Sequence, residues 1–252
     1  MSAIKRYEAA ADRACFLYRI PTAPNSNRTL ELYHAGAPLL GDGDWPGVDK
    51  TLCRIGPDNL TGSPEGSPRT NRSLTHLDFR RPLPFANQSF DLVILHRILD
   101  DLAGLPKGES HEFNPALFLE NVSAVLAPGG IVAGCVNNRW SLKALTHKLK
   151  QLVTPARDTL PLSLFTLANL NKALSVAGYS DIRLFTLLPN CSAPSKLIDT
   201  DPVVSRMAFR NELKITHQVS LTPGYLVRRA MVELGMNRLL EESIFFWASK
   251  SC

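Results

Sequence analysis

Apolar and polar positions alternate in short runs over most of the chain, and stretches of helical spacing separate the runs. The short runs predict strands at Thr29–Tyr33, Ser73–Leu77, Asp91–Leu95, Ile131–Val136, Ile182–Leu187 and Ser243–Ala248, with a weaker strand ending near Val48. Between the Asp91 and Ile131 strands, Phe118, Val122, Val125 and Leu126 recur at helical spacing, with Pro115 at an early helical position. Pro128-Gly129-Gly130 then breaks that helix and turns the chain into a strand apolar enough to be buried, as a βαβ unit requires. Phe165–Ala177, closed by Gly178, repeats the pattern ahead of the Ile182 strand. Strands alternating with helices predict an α/β sheet rather than a bundle or a sandwich.

Residues 1–28 differ in texture: a short helical pattern runs into Ile20–Asn27, whose two prolines and polar residues suit an irregular connection. They are expected to form an N-terminal accessory arm to a single domain over residues 29–252. Gly62–Pro68 is linker-like in composition, but it separates strands of one sheet and is expected to be a loop.

Composition narrows the class. At 252 residues, 44% apolar and 20% charged, the chain can bury one large core, and no run approaches the ~18 to 20 apolar residues of a membrane span. The start, Met1-Ser-Ala-Ile-Lys-Arg, carries no basic region followed by an apolar one, so a cytoplasmic location is expected. Cys15, Cys53, Cys135, Cys191 and Cys252 are scattered, without metal-ligand spacing, so neither structural zinc nor a disulfide framework is expected. Charge is regional. Residues 1–138 hold 13 Lys/Arg against 15 Asp/Glu, a net of −2; residues 139–238 hold 14 against 6, a net of +8.

The run Asp78-Phe-Arg-Arg-Pro-Leu-Pro-Phe-Ala-Asn-Gln-Ser-Phe-Asp-Leu-Val-Ile-Leu-His96, followed by Val125-Leu-Ala-Pro-Gly-Gly130, resembles class I S-adenosylmethionine-dependent methyltransferases, especially the small-molecule branch that includes quinone methyltransferases. Order and intervals fit over residues 73–136, and the likeness continues through Phe165–Tyr179 and Ser243–Ala248, covering about 29–248. It implies a Rossmann-like seven-stranded sheet with helices on both faces, an antiparallel last strand, and a mostly helical insert at about 191–240. It also implies S-adenosylmethionine as cofactor, bound at the carboxyl ends of the strands where strand order reverses.

On this resemblance Glu31 takes the acidic position of the first cofactor motif, with Gly36 in its loop. Asp49 ends strand two toward the ribose, and Asp78 with Phe79 lies at the adenine edge. The glycine pattern is degenerate: Tyr33, Ala35 and Ala37 fall where glycines belong, and Gly36 is out of phase. His96 ends the fourth strand, either as a general base facing the acceptor or as a packed strand terminus. Arg206, Arg210 and Lys214, spaced i, i+4 and i+8, share one helical face, which is either simply solvated or an acceptor or partner face. The partner expected there is an anionic small-molecule or carrier-bound acceptor, a protein, or an acidic membrane surface. Nucleic acid is disfavoured, since no aromatic-interleaved basic platform accompanies the charge. Two functions follow: methyl transfer to a small or carrier-bound acceptor, or a non-catalytic methyltransferase-like protein that binds a partner or scaffolds an assembly.

Overall fold

The computed structural model describes residues 28–33, 49–55, 76–77, 81–103, 113–142, 144–146, 165–188, 196–217, 223–237 and 240–251. The expected accessory arm therefore lies outside the described residues, apart from Arg28.

Eight strands form one sheet: β1 (Arg28–Tyr33), β2 (Asp49–Ile55), β3 (His76–Leu77), β4 (Phe90–His96), β5 (Leu126–Asn137), β6 (Tyr179–Leu188), β7 (Lys196–Asp199) and β8 (Ser243–Lys250). Their order is β3-β2-β1-β4-β5-β8-β6-β7. β1 to β5 pair in parallel, while β8 lies antiparallel between β5 and β6. The expected seven strands and the antiparallel last one are present. Two details differ from expectation. Strand two begins at Asp49 instead of ending there, because the β-forming run is Thr51-Leu-Cys-Arg-Ile55 and the glycine and proline before Asp49 break the chain. An eighth strand, β7, pairs antiparallel with β6 at the sheet edge, inside the segment expected to be mostly helical.

Among the described residues five helices connect or flank the strands: α1 (Ile98–Ala103), α2 (Pro115–Val125), α3 (Leu167–Val176), α4 (Pro202–His217) and α5 (Pro223–Glu233). Asn114 caps α2, its Oδ1 accepting from Ala116 N at 3.0 Å, and Pro115 takes a position whose missing N–H has no intrahelical partner to lose. Thr166 caps α3 through Oγ1 and Asn169 N at 3.1 Å. The Pro128-Gly129-Gly130 break sits inside the start of β5, where the pairing with β4 shifts register, and Gly129 holds a φ of +71°.

Strand alternation gives the sheet two apolar faces. Leu30, Leu32, Val93, Leu95, Val132 and Phe246 face the layer that contains Phe118, Val122, Leu170 and Leu174 of α2 and α3. Leu92, Ile94, Ile131, Ala133, Cys135 and Phe245 form the core of the opposite face. Phe245 and Phe246 are fully buried, each contributing up to about 3 kcal/mol of apolar burial. Tyr179 fastens β6 to α2 by donating its hydroxyl to Leu119 O at 3.1 Å, and burial pushes its phenol far above the ordinary tyrosine range despite a hydrogen bond with Ser123. Among the described residues no helix is long and apolar enough to cross a membrane, and no His/Cys/Asp/Glu group is placed to hold a metal.

Candidate functional site

Strand order reverses between β1 and β4. From β1 the parallel strands run outward through β2 to β3, and from β4 they continue the other way to β5. Loops leaving the carboxyl ends of such a pair diverge and open a crevice. The register pairs Leu32 with Leu95, so the next residues, Tyr33 and His96, end their strands level with each other.

Glu31 lies two residues back from that end, paired with Leu52 of β2 and Ile94 of β4, and is 0% exposed. Its neighbours Leu30 and Leu32 belong to the core under α2 and α3, so alternation sends Glu31 and Tyr33 to the opposite face, with Ile94 and Cys135. A carboxylate inside a sheet costs several kcal/mol unless it is engaged, and Glu31 is engaged. Tyr33 is 6% exposed, so a buried phenol stands at the strand end where the cofactor motif would place a glycine.

His96 is half-buried, with Nδ1 3.6 Å from Sγ of the buried Cys135, its register partner on β5. That contact ties the ring of His96 to the neighbouring strand at the carboxyl end of the sheet. Arg97 follows with a φ of +57°, a turn that stops the strand and starts α1. On α1 the buried Asp100 accepts from Asn137 N at 2.6 Å, joining the helix to the carboxyl end of β5.

A second buried polar group fixes the α4–α5 hairpin to the same end of the sheet. Glu241 Oε1 accepts from Ser205 Oγ at 3.1 Å, Asn237 Nδ2 donates to that hydroxyl at 2.6 Å, and Asn138 Nδ2 donates to Glu241 O at 3.0 Å. Asp100, Asn138, Ser205 and Glu241 were not singled out from the sequence. Each sits where solvated polar residues are common, and only the Asp100 and Glu241 positions beside apolar neighbours hint at burial.

The residues expected from the sequence separate. Glu31 and His96 lie on the two strands that flank the switch point, His96 two residues past the register partner of Glu31. Asp49 is displaced: its backbone pairs with Arg28 at the amino end of the sheet, away from Tyr33 and His96, so the strand-two position near a ribose is not Asp49's. Gly36, Asp78 and Phe79 lie outside the described residues, as do the side chains of Asp49 and Lys214. Arg206 and Arg210 do share a face of α4, and both engage Glu233 at the end of α5. Arg210 Nε donates to Oε1 at 3.1 Å and its Nη2 donates to Oε2, while Arg206 donates to the Glu233 carbonyl. Their charge is thus directed first at the hairpin itself.

The Arg210 hydrogen bond, with the charges of Arg210, Arg206 and Arg229, holds the Glu233 carboxyl below its ordinary range. A lowered folded-state pKa stabilises above the unfolded value and is lost as pH falls through the folded one. Glu233→Gln is therefore expected to lower the melting temperature slightly at neutral pH, with the difference from wild type disappearing as pH drops below the carboxylate range. Thermal denaturation from pH 7 to pH 3 measures this, and a difference that persists at the acid end would contradict it.

A groove of about 300 Å³ opens between α2 and α3, lined by Asn114, Phe165, Asn169, Lys172 and Val176 among others. Phe165 and Ala173 of its wall belong to the core on the α2 and α3 side, so the groove is across the sheet from Glu31 and is not the crevice.

No family model and no curated protein matches the chain. Solved structures do. An S-adenosylmethionine-dependent methyltransferase from Thermotoga maritima superposes with a TM-score of 0.52 at 11% identity, covering 98% of this chain and 96% of that one. One from Mesorhizobium loti gives 0.51 at 14% identity, covering 96% and 99%. Phosphoethanolamine N-methyltransferase 2 of Haemonchus contortus, in complex with phosphomonomethylethanolamine and S-adenosylhomocysteine, gives 0.51 at 14% identity; this chain, 96% covered, spans 53% of its length.

Proposed function

We propose that the chain, whose Rossmann-like fold is shared with solved S-adenosylmethionine-dependent methyltransferases, binds S-adenosylmethionine in the crevice between β1 and β4 and transfers methyl groups to a small or carrier-bound anionic acceptor. The observation that carries the reading is Glu31, a carboxylate held wholly inside the sheet two residues before the end of β1, at the point where strand order reverses. Burying a charge there is costly without a purpose at that end of the sheet.

The residues present fit the cofactor in this respect. Glu31 would hold its polar edge, and the bound cofactor would supply an electrophilic methyl group. The chain's own part is chiefly positioning, which suffices for much of a methyl transfer. His96, at the end of β4 beside the crevice, is the candidate to take a proton from an acceptor hydroxyl or amine. The net +8 of residues 139–238 favours an acceptor carrying negative charge.

One observation favours the second reading, a non-catalytic relative that binds a partner: Tyr33, 6% exposed, takes space that a glycine would leave open. Isothermal titration of the full chain with S-adenosylmethionine and S-adenosylhomocysteine separates the two. Heat with the wild type supports the enzyme. No heat and no thermal shift at millimolar ligand overturns it, and binding that emerges only in Tyr33→Gly assigns the loss to the phenol.

A further inference from the structure

We propose that the α4–α5 hairpin docks the protein onto an anionic lipid surface. Seven of the ten large apolar side chains left exposed among the described residues sit on this hairpin or in the turn that follows it. On α4, Val203 and Met207 are 66% and 60% exposed, and on α5 Leu226 and Val227 are 55% and 53% exposed. Leu234 and Met236 continue the patch just past α5.

Helical phase shows that these are outward crests rather than frayed core. Two residues along a helix is roughly 200° of rotation. Val203 and Met207 flank the buried Ser205 at that interval, and Met207 precedes the buried Phe209 by it, so both apolar side chains point away from the body. On α5, Val227 stands at the same interval from the buried Tyr225. A helix that faces the core with one stripe normally turns polar residues outward. Here both helices carry aliphatic residues on the outer side as well.

The surrounding charge selects the occupant. Arg228 and Arg229, both exposed, stand two residues on from Leu226 and Val227, on the flanks of α5 between the crest and the body, with stems long enough to reach toward its edge. Two acidic residues of the hairpin, Asp201 and Glu233, are already engaged. Asp201 Oδ1 caps α4 by accepting from Val203 N at 2.9 Å and Val204 N at 3.1 Å, and Glu233 is bound by Arg206 and Arg210. What faces outward is an aliphatic crest with an arginine rim, the combination that binds anionic interfaces. The crest is made of Val, Leu and Met, which suit a fluid apolar layer.

The test is cosedimentation of the full chain with large unilamellar vesicles, of phosphatidylcholine alone or mixed with phosphatidylglycerol. The protein is expected to pellet with the anionic vesicles and to be released by half-molar salt. Arg228→Glu with Arg229→Glu should weaken partitioning at least about tenfold. Met207→Ser with Leu226→Ser should weaken it as well, with the circular dichroism spectrum unchanged because both side chains are exposed. Absence of binding to anionic vesicles, or binding that neither variant reduces, would overturn the proposal. So would a concentration-dependent dimer in analytical ultracentrifugation that Met207→Ser with Leu226→Ser abolishes without vesicles present. Cofactor titration is independent of all these outcomes, so a failure here leaves the crevice reading standing.

Discussion

Gly134→Val is expected to remove about 3 kcal/mol or more of folding stability, a large fraction of the ~5 to 15 kcal/mol that holds a typical domain together. Gly134 lies on β5, level with Leu95 of β4 and Phe246 of β8. A Cβ there would stand 2.5 Å from the Leu95 carbonyl oxygen, 2.9 Å from Leu95 Cβ and 2.9 Å from the Phe246 ring. The first contact decides the outcome, because a backbone oxygen in a parallel ladder cannot retreat without loosening its strand, and Val adds two more carbons to the same volume. Leu95 and Phe246 are fully buried, so neither has free space behind it. Gly129→Ala is the contrast: nothing stands within 4 Å of its Cβ, and only the φ of +71° is strained. It should cost roughly 1 to 2 kcal/mol. Urea unfolding of both variants measures the difference; a Gly134→Ala variant as stable as wild type would show that the strands can part, against this expectation.

That close approach marks the limit of what the residue pattern discloses. Gly129 is legible as part of the Pro128-Gly129-Gly130 break, whereas nothing in the strand pattern Ile131–Val136 shows that Gly134 meets Leu95 and Phe246. The strands themselves were legible where apolar runs are long and bounded: β4, β5, β6 and β8 lie where their patterns put them. β7 was not, since in four residues, Lys196-Leu-Ile-Asp199, one buried Ile198 makes no period. Strand two was misplaced by counting back from Asp78 on the family's intervals rather than by following Thr51–Ile55.

The site divides the same way. Glu31 was singled out because it takes the acidic position of the first cofactor motif on the methyltransferase resemblance; that the sheet buries it completely came from the structure. Asp100 and Glu241 were not, because each belongs to an acidic pair, Asp100-Asp101 and Glu241-Glu242, and only tertiary contacts decide which member is buried. Helical spacing placed Arg206 and Arg210 on one face, but spacing says nothing of what packs opposite. Their carboxylate partner, Glu233, comes from the next helix.

Glu31→Gln is expected to weaken S-adenosylhomocysteine binding by roughly ten- to a hundredfold, the free energy of one hydrogen bond to a charged group. Glutamine keeps the length of the side chain and one carbonyl acceptor but loses the charge. In the interior, where Glu31 is 0% exposed, that charge acts in a poorly screened environment. Glu31 is engaged inside the sheet, so the substitution also takes a partner from a buried group and folding stability should fall as well. Affinity for the folded protein is therefore the quantity that distinguishes this role from a structural one. If Glu31 only braced β1, Gln would lower the melting temperature and leave affinity for the folded protein unchanged. Paired calorimetric titration and thermal denaturation of Glu31→Gln read both quantities. Unchanged affinity beside a measurable wild-type heat would remove Glu31 from the cofactor crevice and leave its burial to be explained by the sheet alone.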